Sequence, residues 1–154
     1  MGAADTSKEI RSVALPDQQA TETLAAKYAR ELHCGDVIAL TGDLGTGKTV
    51  FARALIQARS KAAGVDIGAV PSPTYTLLQQ YDLPGFSIYH FDLYRLSEPE
   101  EVWEIGLEEA LSEGAALIEW ADRAESYLPH GTIRIHLAPG PTEKARIAQI
   151  SIPQ

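Results

Sequence analysis

The segment 42–49 reads Gly-Asp-Leu-Gly-Thr-Gly-Lys-Thr and fits the pattern G-x-x-x-x-G-K-[ST]. Its three glycines allow the backbone to curl, so that successive N–H groups point at one anion. Lys48 then places a cation at the β- and γ-phosphates of a nucleotide, and Thr49 offers its hydroxyl to Mg²⁺. A helix that follows would direct its positive N-terminal end at the same phosphates. The segment therefore predicts a phosphate-binding loop, or P-loop.

A P-loop enzyme also needs a carboxylate close to Mg²⁺ at the end of a neighbouring strand. Asp92 and Glu119 both follow apolar runs that read as strands. The spacing leaves open which of them contacts the metal and which positions water. The sequence does not identify an arginine that stabilises the transferred phosphate. Arg53 is interpreted as part of a solvated helix face. Arg95 is interpreted as a residue that acts in cis or contacts a partner.

The elements that position these groups follow from hydrophobic periodicity and turn residues. A helix is expected from an N-cap at Asp17 to Gly35, and another over 48–61. A third is expected to begin with a Ser97–Glu100 capping box and to be interrupted at Gly106. Strands are expected at 9–15, 36–41, 75–81, 86–92, 115–120, 132–137 and 146–152.

This order of elements predicts an α/β fold, a three-layer domain of the P-loop NTPase kind. The hairpins favour a mixed, mainly parallel sheet with an antiparallel strand pair at the C-terminal end. At 154 residues the chain is expected to form one domain over 1–154, with a short flexible N-terminus of about residues 1–8.

Composition excludes several classes of function. The chain has 13 Lys and Arg against 21 Asp and Glu, a net charge of −8, so it is not expected to bind nucleic acid by itself. Cys34 is the only cysteine, which excludes an intrachain disulfide and favours a reducing cytoplasm. The chain has no asparagine and hence no Asn-Lys-x-Asp motif for guanine. No apolar run approaches the roughly 20 residues that span a bilayer.

Besides the P-loop, three segments occur in a characteristic order and spacing: Pro71-Ser-Pro-Thr-Tyr-Thr-Leu77, His90-Phe-Asp-Leu-Tyr-Arg-Leu96 and Ile118-Glu-Trp120. With Pro16–Thr21, they make the chain resemble the TsaE family, the small bacterial ATPases of the tRNA threonylcarbamoyladenosine (t6A) pathway. The resemblance covers about Leu15 to Ile152, although the short stretch after Pro139 does not closely match the family pattern.

The resemblance implies that the chain binds ATP or ADP with Mg²⁺. Ser72–Thr74 would form a switch-like loop with Thr74 near the γ-phosphate. Asp92 would organise the catalytic water or the outer shell of the metal, and Glu119 would lie on or beside Mg²⁺. The implied catalytic residues are Lys48, Thr74, Asp92 and Glu119, and the implied metal site comprises Thr49, Asp92 and Glu119. The implied nucleotide contacts are Asp43, Leu44, Gly45, Thr46, Gly47, Lys48, Thr49, Trp120 and Thr21.

The same resemblance implies that the chain acts with TsaB and TsaD and reaches tRNA only through that complex. ATP hydrolysis would support repeated modification of adenosine 37, with the modification chemistry itself belonging to TsaD. The implied location is the cytoplasm, with no membrane partner. Intrinsic ATPase activity is expected to be weak and to rise when partners dock.

Two other functions share the P-loop. A small-molecule kinase needs an acceptor pocket and usually a lid with arginines, yet Arg123 is the only basic residue between Leu96 and Leu128. A nucleotide-dependent binding module, in which hydrolysis acts only as a timer, overlaps with the role that the resemblance implies.

Overall fold

The computed structural model describes residues 8–153. The flexible N-terminus expected at about 1–8 lies outside that range except for Lys8, which belongs to the first strand. The helices are α1 Gln18–Glu31, α2 Lys48–Ala62, α3 Glu101–Glu104 and α4 Leu107–Glu113, and a 3₁₀ segment follows at Ala121–Tyr127. The strands are β1 Lys8–Leu15, β2 Val37–Thr41, β3 Leu78–Asp82, β4 Ser87–Asp92, β5 Gly114–Glu119, β6 Ile133–Pro139 and β7 Arg146–Pro153.

The strands form one sheet in the order β1-β7-β6-β2-β5-β4-β3. The central pairings β6–β2, β2–β5 and β5–β4 are parallel, whereas β1–β7, β7–β6 and β4–β3 are antiparallel. The predicted mixed sheet, with its antiparallel pair near the C-terminus, is confirmed. Because β2, β4 and β5 run in the same direction, their carboxyl ends meet at one edge of the sheet.

Apolar side chains cover both faces of the sheet. Ile38 and Leu40 of β2 pack into one core together with buried residues of α1 and α2. Val37 and Ala39 pack into a second core with buried residues of α3, α4 and the 3₁₀ segment. The unbroken apolar run of β2 therefore reflects a strand that is covered on both sides, as expected in a three-layer fold.

The predicted start of α1 is confirmed. The Asp17 side chain accepts a hydrogen bond from the N–H of Ala20 at 2.9 Å, which satisfies one of the free donors of the first turn. At the other end, Leu32 leaves the helical conformation and Gly35 adopts a φ of 95°. In the part of the chain that the structure describes, no helix is long and apolar enough to cross a bilayer.

Most strands differ from the prediction by one to three residues at one or both ends, and two of these differences lie beside the carboxyl edge of the sheet. The strand expected from Tyr75 begins at Leu78, because Leu77 has a φ of 69° and its N–H bonds the carbonyl of Pro73 at 2.7 Å. The strand expected to reach Trp120 ends at Glu119, because Trp120 has a φ of 57°. A left-handed conformation interrupts the extended ladder at each position.

The predicted Ser97–Glu100 capping box is wrong. The helix begins at Glu101, and its N-cap residue Glu100 makes no side-chain cap bond. The Glu101 carboxylate instead accepts the N–H groups of Ser97 and Glu98 at 2.7 and 2.9 Å. The predicted interruption at Gly106 is confirmed, since that residue has a φ of 113° and separates α3 from α4.

Candidate functional site

The loop between β2 and α2 is curled tightly against β6. A Cβ atom at Gly42 would lie 2.3 Å from the carbonyl oxygen of Leu137 and 2.7 Å from Oγ1 of Thr46, so no larger side chain fits there. Gly45 and Gly47 have φ values of 80° and 106°, which glycine adopts without strain. The local sequence thus permits the curl that a phosphate cradle requires.

Lys48 is the first residue of α2, and its amine lies back over the loop. Nζ donates to the carbonyl oxygens of Gly42 at 2.6 Å and Asp43 at 2.8 Å. It also lies 4.0 Å from the ring centroid of Trp120. Burial lowers the pKa of Lys48, and the negative charge of Glu119, the largest opposing influence, partly offsets that effect. The cation is therefore held by dipoles, a ring face and nearby carboxylates.

Glu119 lies at the end of β5, is 1% exposed, and has both oxygens bonded. Oε1 accepts the hydroxyl of Thr49 at 2.7 Å, and Oε2 lies 2.7 Å from Nε2 of His90. His90 is fully buried on β4. Its position opposite Leu117 lets the ring reach the carboxylate two residues further along β5. The arrangement fixes Glu119 beside the start of α2.

Asp92 ends β4 and is paired in register with Glu119. Its Oδ2 accepts the hydroxyl of Thr74 at 3.2 Å, and its Oδ1 accepts the N–H of Tyr94 at 3.0 Å. Ser72 Oγ lies 2.8 Å from Thr74 Oγ1, so the 71–77 loop is joined to the strand end. Burial raises the pKa of Asp92, while the bond from Tyr94 acts in the opposite direction.

A cavity of about 1,020 Å³ joins these groups, a volume that accommodates a nucleotide. Nearly all of the predicted site residues line it: Thr21, Leu44, Gly45, Thr46, Gly47, Lys48, Thr49, Thr74, Asp92, Glu119 and Trp120. Asp43 does not line it; its side chain is exposed and only its carbonyl bonds Lys48. The lining residues without a predicted role in the site are Asp17, Gln18, Gln19, Val50, Tyr94, Glu143, Lys144 and Arg146.

The two candidate arginines lie elsewhere. Arg53 is exposed, as predicted, yet its Nε donates to the carbonyl oxygen of Val70 at 2.8 Å and so joins α2 to the chain just before the 71–77 loop. Arg95 lies over the ring of Tyr75, 4.8 Å from its centroid. Neither residue lines the cavity.

The donor atoms at the cavity suit magnesium. Across residues 8–153 no group of three or more His, Cys, Asp and Glu side chains is arranged to hold a metal ion. Mg²⁺ bound with a nucleotide does not require such a group, since phosphates and water supply most of its ligands and the protein adds one or two oxygens. The Thr49 hydroxyl and the Glu119 carboxylate, 2.7 Å apart, fit that requirement.

The fold is similar to that of a solved protein. The crystal structure of Bacillus subtilis YdiB aligns with a TM-score of 0.74 at 24% identity, covering 97% of this chain and 90% of that one. At this level of identity the similarity concerns the fold.

Other proteins are more similar to this chain in sequence. Residues 15–147 match the family model TsaE, described as threonylcarbamoyl adenosine biosynthesis protein TsaE. A protein from Rickettsia bellii named tRNA threonylcarbamoyladenosine biosynthesis protein TsaE is 43% identical over 123 residues, 80% of this chain and 83% of its own. Proteins of the same name from Haemophilus influenzae and Bacillus subtilis are 36% and 35% identical, covering 80% and 81% of this chain and 78% and 73% of theirs. Because the family model and these relatives span most of its length, the chain belongs to the TsaE family.

Proposed function

We propose that this chain is a Mg²⁺-dependent ATPase that acts with TsaB and TsaD in the biosynthesis of threonylcarbamoyladenosine on tRNA. The names of its relatives support the pathway, and the cavity supports the chemistry. The chain acts in the cytoplasm, and its intrinsic activity is weak and rises when partners dock. Within residues 8–153 the arginine that lines the cavity, Arg146, bonds three backbone carbonyls, so a partner can supply the cation that stabilises the transferred phosphate.

One observation contributes most to the proposal: the first two residues of α2 lie directly at the carboxylate that ends β5. Lys48 is held within the loop by two carbonyls and Thr49 is bonded to Glu119, all inside one cavity. Loop N–H groups and the Lys48 ammonium bind the β- and γ-phosphates of ATP. Thr49 and Glu119 hold the metal ion, which when bound neutralises charge on the phosphate oxygens.

The opposite side of the cavity orients water. Thr74 and Asp92 are bonded to each other, and the Asp92 carboxylate is in a position to accept a hydrogen bond from water near the γ-phosphate. Positioning and charge stabilisation account for most catalysis of phosphoryl transfer, so these two residues need only hold the water in line. Trp120 and Thr21 border the nucleotide from the ends of β5 and α1.

Calorimetry with the purified chain tests the binding step. ATP in magnesium buffer should release or absorb measurable heat, and Lys48→Ala should abolish that signal. Lys61→Ala is a matched control, since Lys61 is an exposed lysine in the last turn of the same helix. The assignment of the loop is wrong if the Lys48→Ala chain binds and hydrolyses ATP normally.

Reconstitution of tRNA modification with TsaB, TsaD and a threonylcarbamoyl donor tests the pathway. Omission of this chain should stop repeated turnover. A Glu119→Ala chain that still binds ATP should support one round of modification but not many. Phosphate release without any phosphorylated small-molecule product distinguishes this function from that of a kinase.

A further inference from the structure

Arg146, the first residue of β7, joins the end of the sequence to the P-loop. Its Nη2 donates to the carbonyl oxygen of Gly45 at 3.0 Å. Its Nη1 donates to the carbonyl oxygens of Glu143 and Ala145, each at 2.8 Å. One planar guanidinium, whose donors have a fixed fork geometry, thus bonds three carbonyls on two segments.

The turn that precedes Arg146 is held in place by its own hydrogen bonds and close packing. The N–H of Gly140 bonds the carbonyl of Ala145 at 2.9 Å, and the N–H of Ala145 bonds that of Thr142 at 3.1 Å. Gly140 is so close to Ala145 that an added Cβ would lie 2.8 Å from the Cβ of Ala145. Arg146 is paired with Pro139 in the β6–β7 ladder. The guanidinium is therefore anchored on the side away from the loop.

On the P-loop side, Arg146 bonds a carbonyl at the tip of the loop, which no side chain of the loop itself bonds in the described residues. Within the part of the chain that the structure describes, the side chains bonded to the loop backbone are Thr46, Lys48 and Arg146. Thr46 and Lys48 belong to the loop and bond the carbonyls of Gly42 and Asp43, at its beginning. Arg146 comes from outside and bonds the carbonyl of Gly45, at its tip.

We propose that Arg146 is a positioning residue that keeps the P-loop curled for phosphate by bonding the Gly45 carbonyl. The inference rests on the proposed function, in which this loop binds ATP. The peptide between Gly45 and Thr46 is held on both sides: its carbonyl accepts from Arg146 at 3.0 Å, and its N–H donates to the carbonyl oxygen of Asp43 at 3.3 Å. Arg146 thereby fixes the tip of the loop in the curled form whose free N–H groups bind phosphate in the proposed function. The residue acts through the loop backbone, so it affects any polyphosphate and not the nucleoside.

The test compares ATP with inorganic tripolyphosphate, both in magnesium buffer, by calorimetry. Arg146→Ala should weaken the binding of both ligands about tenfold, the effect of losing a hydrogen bond from a charged donor. Arg146→Lys should weaken both by a similar factor, because a single ammonium cannot span the three carbonyls. Arg134→Ala is the control for net charge; Arg134 lies on β6 and pairs with Glu125, and its removal should leave both affinities unchanged.

Three results would overturn the inference. Wild-type affinity in Arg146→Lys would mean that the charge alone matters. A loss confined to ATP would mean that Arg146 contacts the nucleoside. Unchanged affinities in Arg146→Ala would mean that the bridge is dispensable.

Amide hydrogen exchange without nucleotide provides a readout that does not depend on the proposed function. The amides of residues 43–47 should exchange faster in Arg146→Ala than in the wild type, and equal rates would contradict the bridge. If the wild-type chain binds neither ligand, the proposed function fails, while the exchange rates still decide whether Arg146 orders the loop.

Discussion

Asp92 and Glu119 end neighbouring strands, yet their partners differ in kind. Glu119 is bonded to the His90 ring and the Thr49 hydroxyl, whereas Asp92 is bonded to the Thr74 hydroxyl and a backbone N–H. Within residues 8–153 no cationic group bonds Asp92 directly, so burial dominates and the pKa of Asp92 is raised. The charged form of this carboxylate destabilises the folded chain when no ligand is bound.

Asp92→Asn should therefore stabilise the metal-free protein at neutral pH. A raised folded-state pKa means that the carboxyl favours folding when it is protonated, below the ordinary value of 3.8, and that this contribution is lost as pH rises through the raised value. The melting temperature of Asp92→Asn in EDTA should exceed that of the wild type at pH 7. The difference should shrink as the pH is lowered towards 4. A difference that is constant with pH would contradict this account.

The contact between His90 and Glu119 should be measurable as a coupling energy. His90→Leu removes the nitrogen that lies 2.7 Å from Oε2 of the buried carboxylate, so it should lower the free energy of unfolding by about 1–3 kcal/mol. The same substitution in a Glu119→Gln background should cost less, because the acceptor is then neutral. Urea unfolding of the four proteins gives the coupling. Equal costs in both backgrounds would show that the two groups are independent.

Residue-level prediction is possible where the chemistry is local in sequence. The glycines and Lys48 of the P-loop are adjacent, and Asp92 and Glu119 follow apolar strands, so their types and positions indicate a phosphate site. Arg146 follows no such pattern: it reaches Gly45 only because the β6–β7 hairpin folds back on the loop, a contact between residues 101 positions apart. Nor does the sequence reveal that His90 lies beside Glu119, which depends on the register of β4 on β5.

Among the elements, the pairing of β4 with β5 depends on a glycine, because Gly114 lies against β4 with no room for a methyl group. A Cβ there would lie 2.1 Å from the carbonyl oxygen of Ser87. The strands that bring Asp92 and Glu119 together begin at this contact.

Gly114→Ala should destabilise the protein by about 1–3 kcal/mol, since the backbone of β4 must move. The melting temperature should fall by about 2–4 °C for each kcal/mol. Gly131→Ala is the control, because a Cβ at Gly131 would have no heavy atom within 4 Å. If the Gly114→Ala protein were as stable as the control, β4 would be able to move without lowering the free energy of unfolding.

The elements predicted best are those whose ends have local signals. Asp17 begins α1 as a side-chain cap, and the apolar run of β2 is bounded by charged and glycine residues. Two of the missed boundaries depend on left-handed residues, Leu77 and Trp120. Both have bulky side chains, which rarely adopt a positive φ, so neither residue type indicates one in a sequence. Trp120 lines the cavity, and the carbonyl of Leu77 accepts the N–H of Asp92, which also lines it.

In the whole molecule, the cavity links α1, the P-loop, both central carboxylates and the last hairpin. Under the proposed function, a nucleotide in this cavity would contact segments that are far apart in the sequence. Mg²⁺ and ADP at 100 times the dissociation constant should stabilise the protein by about 2.7 kcal/mol. That corresponds to a rise of about 5–10 °C in melting temperature.

The same addition should leave the melting temperature of Lys48→Ala unchanged, whereas Lys61→Ala should behave as the wild type. Differential scanning fluorimetry with and without ADP makes the comparison. An equal shift of the melting temperature in all three proteins would mean that ADP binds at a site other than the P-loop.

The outer edge of the sheet has a consequence for biosynthesis. In the described sheet β1 pairs with β7 alone, over eight residue pairs from Lys8–Pro153 to Leu15–Arg146. During translation the first strand leaves the ribosome before its partner and stays unpaired until residues 146–153 emerge. Until then Arg146 is not in place at the loop, so under the proposal for Arg146 a nascent chain that lacks β7 should bind ATP less tightly than the folded protein.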